Sequence, residues 1–183
     1  MECYKLPNFS LEASETLFGV RLTMELHIES FTTGFFPGTY LTLSRELPRI
    51  FKSRCFNEGN LPFRLEVQNT EMGHLFEHIL LEYLCQTKLS QGFSRAVFKG
   101  ETWWDWRISQ RGTYYIDIQY ARYDKKLFTE ALEKTIKLFS QIISPTAPSV
   151  PLIKPIPVVQ SAFAEIPVSV KKGGNVSGSR YNK

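Results

Sequence analysis

Residues 71–86, Glu-Met-Gly-His-Leu-Phe-Glu-His-Ile-Leu-Leu-Glu-Tyr-Leu-Cys-Gln, constrain this chain more than any other stretch. Leu, Met, Phe and Ile dominate, and Gly73 is the only weak helix former, so the segment reads as a helix. At about 100° per residue, His74, Glu77, His78 and Glu82 fall on one stripe roughly 140° wide, interrupted by Leu81 and Cys85. Leu75, Phe76, Ile79, Leu80, Tyr83 and Leu84 cover most of the remaining surface. No Lys or Arg lies between Glu71 and Gln86, whereas a solvated face ordinarily mixes both signs of charge. Every polar side chain from His74 to Glu82 is by type a metal ligand or a general base.

The spacing His74-x-x-Glu77-His78 is that of one class of zinc hydrolase helix. Two His at i and i+4 lie about 6 Å apart along the axis and can converge on one Zn²⁺ or similar divalent ion. Glu77 is then placed to act as general base toward the attacking water. The plainer alternative is a set of His–Glu contacts in a partly buried groove.

The rest of the chain reads as alternating elements. Val20, Leu22, Met24, Leu26 and Ile28 alternate with polar residues over 20–29, a half-buried strand with His27 on its solvated side. A helix is expected over 39–52, kinked or divided by Pro48. Leu61, Phe63, Leu65 and Val67 alternate as a second strand, and Asn69 or Thr70 is the expected cap of the central helix. Gly92 and Gly100 bracket a short strand or excursion. Thr102 to Ile108 and Tyr114 to Ala121 read as strands joined around Gln110-Arg111-Gly112. Asp124 is the expected cap of a last helix over about 125–143, with Leu127, Phe128, Ala131, Leu132, Leu138, Phe139 and Ile142 as its buried stripe.

The order β-α-β-α-β-β-α, with one apolar face per strand, predicts a two-layer α+β domain over 1–143, its helices on one face of a mixed β-sheet. Trp103 and Tyr115 on the polar sheet face suggest a self-association surface or, equally, a face covered by the N-terminal segment. From 144 to 183 the composition turns to Pro, then Lys-Lys-Gly-Gly and Ser/Gly/Asn, which reads as a flexible tail. The net charge of +4, much of it in that tail, gives no argument for a nucleic-acid partner. Three cysteines without a CxxC pair favour a reducing compartment, and no apolar run has the length of a membrane span. A soluble, cytoplasmic protein is the expectation.

The run Phe36-Pro37-Gly38, Leu47-Pro48, Cys55, Pro62-Phe63-Arg64-Leu65 and Gly73-His74-x-x-Glu77-His78-x-x-x-Glu82 resembles the N-terminal domain of cyanophycin synthetases. Gln91-Gly92-Phe93-Ser94-Arg95, Tyr114-Tyr115-Ile116, Ile118-Gln119-Tyr120 and the helix with Phe128, Ala131 and Leu132 continue the likeness over roughly residues 20–143. Departures are Ser53, where the family often carries His two residues before its Cys, and Ser94, where it carries Gly. Cyanophycin is an Asp backbone bearing Arg side chains. The family's ATP-grasp and Mur-ligase-like modules have no counterpart in these 183 residues, so the resemblance implies no ATP-dependent ligation here.

In some members this domain is thought to carry a metal-dependent hydrolytic site on the same helix. The resemblance thus implies His74 and His78 as metal ligands, Glu77 as base, and Glu82 as a ligand or a partner of one. Glu82 is about 12 Å along the axis from His74, so a third ligand from a loop, or a shifted site using His78 and Glu82, stays open. Two functions follow. One is a metal-dependent amide hydrolase acting on cyanophycin or a related peptide polymer. The other is a non-catalytic module that binds the polymer or assembles with a partner synthetase.

Overall fold

The computed structural model describes residues 2–56, 59–144 and 176–182. The strands are β1 Glu2–Lys5, β2 Phe9–Thr16, β3 Gly19–Leu26, β4 Arg54–Cys55, β5 Val97–Trp103, β6 Thr113–Gln119 and β7 Val176–Asn182. The helices are α1 Thr39–Glu46, α2 Phe63–Glu66, α3 Met72–Ser90 and α4 Lys125–Ile142. The strands form one sheet in the order β1-β2-β3-β6-β5-β7-β4. Its ladders are antiparallel, where a mixed sheet was expected. The α+β class stands. No helix among the described residues is long and apolar enough to cross a membrane.

Period-two patterning places the sheet's apolar face. Val20, Leu22, Met24 and Leu26 of β3 are buried, and Ile116 and Ile118 of β6 lie beside Leu22 and Val20 in register. His27, just past β3, is exposed as expected. On the opposite face Arg21 of β3 donates two bonds to the Asp117 carboxylate of β6, at 2.7 and 2.8 Å. Beside that pair the rings of Trp103 and Tyr115 stack at 4.1 Å, and the Arg21 guanidinium lies over Trp103. Both rings are half-buried.

The helices cover the apolar face. Leu127, Phe128, Ala131, Leu132, Leu138, Phe139 and Ile142 of α4 are buried, as the 3.6-residue period requires. Phe9, Phe76 and Phe139 meet edge-on at 5.2–6.3 Å where β2, α3 and α4 join. Gly73 explains the one weak helix former of α3. A Cβ there would come within 2.5 Å of the Tyr114 ring, which is fully buried on β6. Gly73→Ala, worth about 1 kcal/mol of gain in an open helix, should instead cost about 1–3 kcal/mol through overpacking. Urea unfolding measures the sign.

Several expectations are corrected. Residues 61–67 are not a strand. Pro62 initiates the short helix α2, which buries Phe63 and Val67 at i, i+4 and leaves Leu61 and Leu65 exposed. The division at Pro48 is as expected: α1 ends at Glu46 and a 3₁₀ turn spans Pro48–Lys52. The strand expected to reach Ile108 stops at Trp103, and Ile108 is 81% exposed beyond it. Gly112, at φ 93°, serves the turn into β6 in a conformation that favours glycine. Glu71, not Asn69 or Thr70, is the N-cap of α3, and neither it nor Asp124 makes a side-chain capping bond. Asp124 instead accepts from Lys88 Nζ at 2.8 Å, with the ammonium 5.2–5.4 Å from the rings of Phe93, Phe98 and Tyr123. Residues 1–18, for which the sequence predicts no element, supply β1 and all of β2. Much of the expected flexible tail, residues 145–175, lies outside the described residues, but Val176–Asn182 is the strand β7, between β5 and β4.

Candidate metal centre

The polar stripe of α3 faces inward. His74, Glu77, His78 and Glu82 are each at most 1% exposed. Opposite them, Cys55 of β4 is also fully buried. One ligand atom each from Cys55, His74 and His78 lies within 4.8 Å of the others, a group that could hold a metal ion. Cys55 Sγ is 3.5 Å from His78 Nε2, which is 3.1 Å from His74 Nε2.

The hydrogen bond behind His78 sets its tautomer, and the one behind His74 serves either. Ser53 Oγ donates to Ile50 O at 2.6 Å, so its proton is committed. Ser53 Oγ therefore accepts from His78 Nδ1–H at 3.1 Å, and His78 Nε2 is left as an acceptor toward the cluster. Phe63 stacks on the His78 ring at 3.9 Å and 13°, fixing its plane. In the metal-free protein His74 Nε2–H can donate to His78 Nε2 while the Thr70 hydroxyl donates to His74 Nδ1 at 2.8 Å. A hydroxyl also accepts, so Thr70 equally supports the Nδ1–H tautomer that ligation through Nε2 requires.

Burial sets the protonation states. Desolvation lowers His74 to about 4. His78 is pushed well below the usual imidazole value, by burial first and then by His74. Both rings are neutral ligands across the physiological range. Burial raises the Cys55 thiol far above its ordinary value, with the Glu66 and Glu77 carboxylates adding to it. The thiol thus keeps its proton unless an ion takes the place of that proton.

The two glutamates diverge. Glu77 Oε2 accepts from Thr102 Oγ1 of β5 at 2.6 Å. Its other oxygen lies against Gly100, where a Cβ would come within 2.7 Å, so the strand leaves the carboxylate its room by omitting a side chain. Glu82 is the expected ligand that does not join the Cys55–His74–His78 group; it accepts from Gln86 Nε2 at 2.9 Å. For the third ligand left open by the sequence the structure offers a candidate in Cys55, on the strand β4. Ser53 stands out in the sequence only as a departure from the family pattern and Thr70 only as a helix cap, and Thr102, the partner of Glu77, carries no signal as a site residue. Comparison of the chain with family models, with curated proteins and with solved structures returns no match.

Proposed function

We propose that this chain is a zinc-stabilised, non-catalytic module that binds a cyanophycin-like peptide polymer or assembles with the enzyme that makes one. The observation that carries the non-catalytic reading is enclosure: Cys55, His74, Glu77 and His78 are all at most 1% exposed, so no amide of a polymer meets them. Zinc is favoured by the donor set and its spacing. Bond lengths of about 2.05 Å to nitrogen and 2.3 Å to sulfur give tetrahedral edges of about 3.3 Å for N–N and 3.6 Å for N–S. The corresponding separations are 3.1 and 3.5 Å. The polymer class is supported by the motif run that resembles the synthetase domain.

One observation favours the hydrolase reading. Glu77 precedes His78 on α3, and its carboxylate lies close enough to influence the Cys55 thiol. A single assay separates the two. Metal-loaded protein is incubated with cyanophycin, and soluble Asp–Arg oligomers are measured, with generic peptides as controls. The expected result is no release and polymer binding indifferent to Glu77→Gln. Release that Glu77→Gln lowers by at least roughly 10²-fold, as loss of a general base would, makes the chain a hydrolase instead.

A further inference from the structure

The third ligand sits on a strand that cannot stand by itself. β4 is only Arg54–Cys55, and a two-residue strand has little stability of its own. On one side Cys55 N–H donates to Leu61 O at 3.2 Å, and Arg54 bridges to Pro62. On the other side the ladder partner is β7, with Arg54 opposite Arg180 and Cys55 opposite Ser179. β7 continues the sheet onto β5, where Ser179 is opposite Gly100. One row of backbone therefore runs Cys55, Ser179, Gly100: from the thiol ligand, through β7, to the glycine that makes room for Glu77.

From this register we infer that Val176–Asn182 is a detachable strap that completes the metal centre. It occupies a slot between β4 and β5 that accepts an extended peptide by strand addition. The inference rests on Cys55, His74 and His78 holding a metal. Docking of the strap fixes the backbone of Cys55 over His78, so the docked chain binds metal more tightly. By linkage, a bound metal holds the strap in place to the same degree. Removal of the strap leaves β4 without its ladder and bares the inner edge of β5.

The test uses the full chain with Co²⁺, whose thiolate charge-transfer absorption reports the Cys55 bond. Ser179→Pro removes a ladder N–H from an internal strand without touching a ligand. It should weaken Co²⁺ binding roughly tenfold or more, within the usual range of coupling. A synthetic peptide of residues 174–183 should restore the affinity in trans. In the unmodified chain, Zn²⁺ should slow hydrogen exchange across 176–182 and 98–101, a readout that does not depend on the variant folding. Unchanged Co²⁺ affinity in Ser179→Pro, or exchange in 176–182 indifferent to metal, overturns the strap while leaving the metal centre intact. Absence of any Cys55-dependent cobalt band in the parent chain overturns both.

Discussion

Zinc at a free concentration about a thousandfold above its dissociation constant should stabilise this protein by about 4 kcal/mol. For a chain of this size that is about 8–16 °C in the thermal midpoint. The expectation follows from preorganisation. The His78 ring is already held edge and face, by Ser53 and Phe63, and His74 by Thr70. Binding therefore orders little that folding has not ordered. His78→Ala and Cys55→Ala should each abolish most of the shift. The Cys55 proton is the one that leaves, because both imidazoles are already neutral. Affinity should then rise about tenfold per pH unit through neutrality, with one proton released per ion. Calorimetric scans with zinc and with chelator measure the shift, and an indicator dye counts the proton. A chain lacking the Cys55 thiol that shows the same shift would place the ion elsewhere.

Metal-free protein should lose stability steeply in mild acid. His74 titrates at about 4 in the folded chain against a reference of 6.5, and its cause is burial. A group with a depressed folded pKa binds more protons when unfolded, so stability rises with pH in the interval between the two values. The contribution is intact above about 6.5, falls as pH drops, and is spent near 4. Its size is roughly 3 kcal/mol for His74, and His78 adds in the same direction. Urea unfolding at pH 7 and pH 4 in the presence of chelator gives the slope. His74→Gln, which cannot charge, should flatten it. Equal slopes for the two proteins would mean that the ring is hydrated rather than enclosed.

The parts of this molecule that were legible in the sequence are those where one element's own period carries the information. α3 runs Met72–Ser90 against an expected 71–86, and α4 runs Lys125–Ile142 against about 125–143. Both histidines of the centre share one helix, so their convergence follows from i, i+4 spacing alone. Cys55 lies on a different element, and nothing in local spacing brings it to them. Glu82 is implied by the resemblance, and the roughly 12 Å of rise that counts against it holds: two turns along the axis it meets Gln86. β2 does alternate, with Phe9, Leu11 and Ala13 buried, but Ala, Ser and Glu dilute its strand propensity. β7 shows no apolar alternation at all. Its position comes from backbone pairing along both edges, which no side-chain pattern announces.

The order of strands also sets a timetable for the molecule's making. β4 and β7 are sheet neighbours, yet about 120 residues of synthesis separate them. At roughly 5–20 residues per second, Cys55 spends on the order of ten seconds outside the ribosome before its ladder partner exists. During that interval the nascent chain presents a thiol and two imidazoles without the backbone frame that aligns them. The helix bearing the histidines is synthesised well before β7, the strand that pairs with Cys55. If the Cys55–His74–His78 group holds an ion, its full set of backbone neighbours exists only once β7 has been translated.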